Sequence, residues 1–140
     1  MMKNASSEVV QSFSGPNAKE EALRHVGDAR LVVFDGSRVS SHAEFVAAAN
    51  ATLPLDPPLG EGLSWDAFSD SLWSGIDALG APRITVLWQR ADVLSASSPA
   101  VFDQAVLCFR EVAELAQDPG SGIDLPTSLR LLLVHGGGAR

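Results

Sequence analysis

The chain is short of cysteine, of basic residues and of long apolar runs, and each shortage removes a class of protein. Cys108 is the only cysteine in 140 residues, so no intrachain disulfide can form, which suits a reducing compartment. Ten Lys and Arg stand against 17 Asp and Glu, for a net charge of −7 and a pI of about 4.7. The basic residues are scattered singly, so the patch that nucleic acid or an anionic membrane surface requires is missing. No apolar segment approaches the length of a membrane span. The opening MMKNASSEVVQSFSG lacks the apolar run of a signal peptide, and the expectation is a cytoplasmic protein. His25, His42 and His135 fall in separate elements without ligand spacing, so neither a metal nor a cofactor is expected. The HGGG of residues 135–138 resembles an esterase oxyanion loop, but no G-x-S-x-G accompanies it. DGSRVSS lacks the glycine spacing of a phosphate loop.

What is present is a foldable single-domain composition, 46% hydrophobic and 19% charged. Residues 1–15 are small and polar and read as a loose tail, and GPNAKEEALRHVGD reads as a short helix. RLVVFDG, PRITVLWQ and TSLRLLLVHGGG are apolar runs bounded by turn signals, which predicts three buried strands. Ser41 with Glu44 makes a capping box ahead of a helix over 40–50. TLPLDPPLGEG holds three prolines and two glycines and must be a loop. A second helix follows Ser64, and a third runs over 97–120, with Ser98 as cap, Pro99 in its first turn and Pro119-Gly120 at its end. The order β-α-α-β-α-β predicts an α/β fold with a three-stranded parallel sheet packed by helices. Residues 1–29 form an N-terminal extension in this reading, and 30–140 the domain. Trp65 and Phe68 are expected in the core, Trp88 half-buried, and Cys108 partly exposed and structural.

The stretch GEGLSWDAFSDSLWSGID carries four acids, no base and two of the three tryptophans. At helical steps of about 100°, Trp65, Phe68, Leu72, Ile76 and Leu79 share one face, the core side. Asp66, Asp70 and Asp77 then lie within about 40° of one another on a separate stripe, with Trp73 beside it. Asp66 sits in the first turn, where the helix dipole favours a negative charge. Asp70, one turn later, repels Asp66 and gains nothing from the dipole. Exposed carboxylates next to a large aromatic suit a protein interface, where the acids clamp arginines of a basic partner through bidentate hydrogen bonds. The plain alternative is a solvated acidic face with Trp73 under a loop.

Three segments in this order resemble the barstar family of intracellular ribonuclease inhibitors. LSWDAFSDSL is similar to the family's Asn-Leu-Asp-Ala-Leu-Trp-Asp pattern on its second helix, PRITVLWQ to its middle strand, and VLCFREVAE to its third helix. The resemblance spans roughly residues 30–135. It implies a three-stranded parallel sheet packed by helices, no catalysis, and one-to-one occlusion of the active-site cleft of a small secreted guanyl-specific ribonuclease. Residue by residue, it implies that Asp70 is the dominant contact, with Asp66 one turn earlier and Glu111 reaching the same cleft from the next helix. Gly62 and Ser64 match the loop whose backbone touches the enzyme. Trp73 is an addition from the helical wheel. The chain departs from the pattern in having no tyrosine, where the family's founding member places one in that loop. Ser69 replaces an aromatic, and Leu115 stands where a second glutamate is expected one turn after Glu111.

Two other readings share these residues. One is an acidic interaction module for a different basic partner. The other is a small hydrolase using Asp66 and Asp70 as acid and base, but one-turn spacing on an exposed helix supplies neither a cleft nor a raised pKa.

Overall fold

The computed structural model describes residues 9–60, 64–118 and 126–136. Its elements are β1 (Val10–Ser14), α1 (Ala18–Leu23), β2 (Arg30–Asp35), α2 (His42–Thr52), α3 (Trp65–Leu79), β3 (Arg83–Gln89), α4 (Ala91–Ser97), α5 (Pro99–Gln117) and β4 (Ser128–His135). The strands pair in the order β1-β4-β3-β2, and every pairing is parallel. The α/β class and the parallel sheet agree with the sequence reading. The number of strands does not, because the sheet has four. The additional strand comes from the stretch read as a loose tail. VQSFS is too short and too polar to announce itself, but its backbone fills the free edge of β4, with Val10 opposite Leu131 and Phe13 opposite Val134.

Alternation along the strands decides what covers each face. On one face, Phe34, Ile84, Val86, Trp88, Leu129 and Leu131 are buried in a single cluster with residues of α2, α3 and α5. Phe34, Phe45 and Trp88 meet there at centroid distances of 5.1–5.7 Å, and each aromatic removed from water at this depth contributes on the order of 2–3 kcal/mol. On the other face, Leu87, Leu132 and Val134 pack under Ala18 and Ala22 of α1. Helix α1 is small and leaves Leu31 and Val33 of β2 exposed. Trp88 is fully buried rather than half-buried, because the turn that leaves the neighbouring strand β2, at Gly36, closes over its indole: a Cβ there would press on both the Trp88 ring and the Gln89 carbonyl.

The joints are made by specific caps. Ser41 accepts the Glu44 N–H at 3.2 Å, while the Glu44 carboxylate accepts from Ser40 N–H and Oγ at 2.9 and 2.7 Å. The capping box is therefore closed one residue earlier than its usual form. Arg90, with φ of 55°, turns the chain from β3 into α4. The short helix α4 went unread in the sequence. Ser98 holds the N-cap position of α5, but its side chain makes no cap hydrogen bond; the hydroxyl donates instead to the Ser40 carbonyl at 3.0 Å. Helix α5 ends at Gln117, and Pro119-Gly120 lie outside the described residues. Strand β4 ends at His135, and the Gly136 N–H donates to Asp92 at 2.7 Å.

Candidate functional site

Helix α3 carries the acidic stretch. The Ser64 hydroxyl accepts the Ala67 N–H at 3.2 Å to start it, and Gly80 stops it in the left-handed region at φ of 67°. Phe68, Leu72 and Ile76 are buried as the apolar period requires, and Trp65 is half-buried. The Trp65 ring lies against His42 with centroids 4.6 Å apart, which ties the start of α3 to the start of α2.

One flank of α3 is closed by the proline-rich loop. Asp56 N–H donates to the Ser71 carbonyl at 3.0 Å. The Pro54 carbonyl sits so close to Gly75 that any Cβ there would collide with it, which is why this helix carries a glycine in its interior at a propensity cost of about 1 kcal/mol. The loop is held from its other end by Asn50, whose amide donates to the Leu59 carbonyl at 2.8 Å and accepts the Leu59 N–H at 2.7 Å.

The other flank faces α5 and is open. Between the two helices lies a hollow of about 530 Å³, lined by Asp66, Ser69, Asp70 and Trp73 from α3. Glu111, Val112 and Leu115 line it from α5. Phe68 and Phe109 meet edge to face at 5.8 Å and fix the spacing of the two helices. The Cys108 thiol donates to the Trp65 carbonyl at 3.7 Å. Cys108 is 3% exposed, not partly exposed as expected, because α3 packs directly over it. Burial pushes its thiol above the ordinary range; the Ser69 hydroxyl pulls the other way, and the Glu111 and Asp66 charges add to the rise. A thiol held in this state is a poor nucleophile.

Of the six residues singled out in the sequence, the fold brings Asp66, Asp70, Trp73 and Glu111 to one hollow. Ser64 stands just before them, with its hydroxyl engaged as a cap. Gly62 lies outside the described residues. The acidic stripe divides, since Asp77 does not line the hollow. Trp73 is half-buried and packs against the core cluster. Its indole N–H is enclosed without a hydrogen-bond partner among the described residues. The described loop contacts run to Ser71 and Gly75 on the other side of the helix. Asp66, Asp70 and Glu111 are exposed, and among the described residues none of the three has an ion-pair partner. Three unpaired carboxylates beside an aromatic wall suit guanidinium or ammonium groups brought by another molecule. Sequence reasoning missed Val112 and Leu115 as parts of this hollow. The available signal was that Leu115 lies one helical turn after Glu111.

Among the described residues no helix is long and apolar enough to cross a membrane, and no three His, Cys, Asp or Glu side chains gather as metal ligands. No curated protein and no solved structure matches the chain. A family model described as Barstar (barnase inhibitor) matches residues 29–125.

Proposed function

This chain belongs to the Barstar (barnase inhibitor) family, and from that premise we propose that it inhibits a small secreted guanyl-specific ribonuclease by occluding its active-site cleft, one inhibitor to one enzyme. The observation that supports the reading most is the set of unpaired carboxylates, Asp66, Asp70 and Glu111, around one hollow beside Trp73. A ribonuclease cleft must bind RNA phosphates, so it is lined with cations. An inhibitor that presents carboxylates at matching positions takes those cations out of use. Asp70 is the central contact, Asp66 and Glu111 flank it, and Trp73 packs against the rim of the cleft. Gly62 and Ser64 bring the preceding loop to the enzyme. Nothing is turned over: the acids pair with the enzyme's cations and do not shuttle protons.

The net charge of −7 serves the same end. An acidic plug and a basic cleft attract over roughly a Debye length, about 10 Å at 0.1 M salt, so association speeds up and weakens with ionic strength. Once formed, buried charge pairs slow dissociation, and removing one partner leaves the other charge stranded. The protein acts in the cytoplasm of the cell that makes the ribonuclease, where uninhibited enzyme would attack cellular RNA.

The test is calorimetric titration with such a ribonuclease at low and high salt, using wild type and Asp70→Ala. One-to-one binding that weakens with salt is expected, with a loss of at least about a hundredfold for Asp70→Ala. If wild type gives no heat with several such ribonucleases, the reading fails and the hollow serves a different basic protein.

A further inference from the structure

Leu107 and Leu115 of α5 are large apolar side chains left 47% and 48% exposed. Glu111 lies midway between them in sequence, so the three form one line along the helix, a turn apart from one another. Leu115 and Glu111 also line the hollow. A lone exposed leucine is ordinary. A leucine–carboxylate–leucine line bordering a hollow that already holds two further unpaired carboxylates and a tryptophan is different. Apolar anchors set around a charge that pairs on binding are how an interface is built.

Resting on the inhibitor reading above, we propose that the interface continues from the hollow onto α5 along Leu107, Glu111 and Leu115. The partner is then a basic-cleft ribonuclease whose rim carries apolar side chains on both sides of one cation. The occupant follows from the chemistry of the line. Glu111 has no ion-pair partner among the described residues and takes a guanidinium or ammonium group. Leu107 and Leu115, one turn to either side, take apolar surface. A rim cation facing Leu115 would be desolvated with nothing to pair it. Leucine there therefore discriminates against an enzyme that places a cation opposite it.

The test uses the full chain and a small secreted guanyl-specific ribonuclease, with titration calorimetry at two temperatures and two salt concentrations. The variants are the Leu107→Gln, Leu115→Gln double substitution and Leu115→Glu; both sites are exposed helix positions, and glutamine and glutamate are good helix formers. The double variant is expected to bind about tenfold more weakly. Its heat-capacity change on binding should be less negative, the mark of lost apolar burial, while the salt dependence of Kd stays as in wild type. Leu115→Glu should also bind more weakly. Tighter binding by Leu115→Glu overturns the proposal. So does a double variant with unchanged Kd and heat-capacity change; if Asp70→Ala still loses affinity, the inhibitor reading stands alone. Wild type that binds no such ribonuclease overturns both.

Discussion

The two flanks of α3 are opposites. On the side of Ser71 and Gly75, backbone meets backbone: the loop carbonyl of Pro54 lies against Gly75, the Asp56 N–H reaches the Ser71 carbonyl, and Asn50 holds the loop down at Leu59. All of these contacts are neutral and satisfied. On the side of Asp66, Asp70 and Trp73, the helix presents charge without an ion-pair partner and an enclosed indole N–H without an acceptor among the described residues. The closed flank immobilises the helix in advance, so that little ordering entropy is left to lose when the open flank binds. The open flank keeps its carboxylates exposed and available. One helix divides rigidity and readiness between its two sides, and that division follows from which residue types sit at about 240–280° and which at about 40–140° around it.

The comparison can be broken most sharply from the closed side. Gly75→Ala forces a methyl group into the Pro54 carbonyl and is expected to cost about 3 kcal/mol of stability, as overpacking against backbone does. Chemical denaturation measures it, and wild-type stability in this variant would show that the loop yields and the flank is not rigid. Asn50→Ala removes both hydrogen bonds to Leu59 and should cost about 1–2 kcal/mol; unchanged stability would mean that the buried Leu53 and Leu59 side chains alone hold the loop. On the open side the sign reverses. Asp70→Ala, which weakens binding in the proposed function, relieves the repulsion with Asp66 and should leave the free protein unchanged or stabilised by roughly 0.3 kcal/mol. A drop in its melting temperature would mean that Asp70 supports the fold.

Acid offers the mildest test, and it acts away from both flanks. The Arg90 guanidinium first, and the Gly136 N–H after desolvation is offset, hold the Asp92 carboxyl at about 2. Its folded value is thus below its unfolded one, so its contribution is complete above about pH 4 and disappears as pH falls toward 2. The stability gap between wild type and Asp92→Asn should therefore close over that interval in acid titrations of melting temperature. A gap that persists at the lowest pH would show that the side chain acts by shape alone.

How much of this was legible in the sequence depended on whether the signal was local. Strands β3 and β4 announce themselves because burial on both faces requires unbroken apolar runs; the run of β2 reads the same way, although as an edge strand it keeps only Phe34 buried and leaves Leu31 and Val33 exposed. Helix α3 announces itself because its core period, its serine cap and its glycine stop agree. Strand β1 does not, since VQSFS earns its place only by pairing with a strand at the far end of the chain. Helix α4 depends on the left-handed turn at Arg90, which arginine does not advertise. In the site, Asp66, Asp70 and Trp73 share one helix and their proximity follows from geometry alone. Glu111 was reached through the resemblance to a family, not through periodicity. Leu115 entered the hollow only when α5 was laid beside α3, because no property of one helix states which face its neighbour leaves uncovered.

The position of β1 beside β4 sets an order of assembly. Strand β1 must wait for β4, which follows β2 and β3 in the chain, while β2 and β3 need only the helices between them. Long-range pairing of this kind closes late, after its loop-closure entropy has been met by contacts made elsewhere. The β4 edge therefore stands open until the final step. In pulsed hydrogen exchange during refolding, the amides of β1 that pair with Leu131–Val134 should gain protection after those of β2 and β3. Simultaneous protection would mean that all four strands assemble in one step.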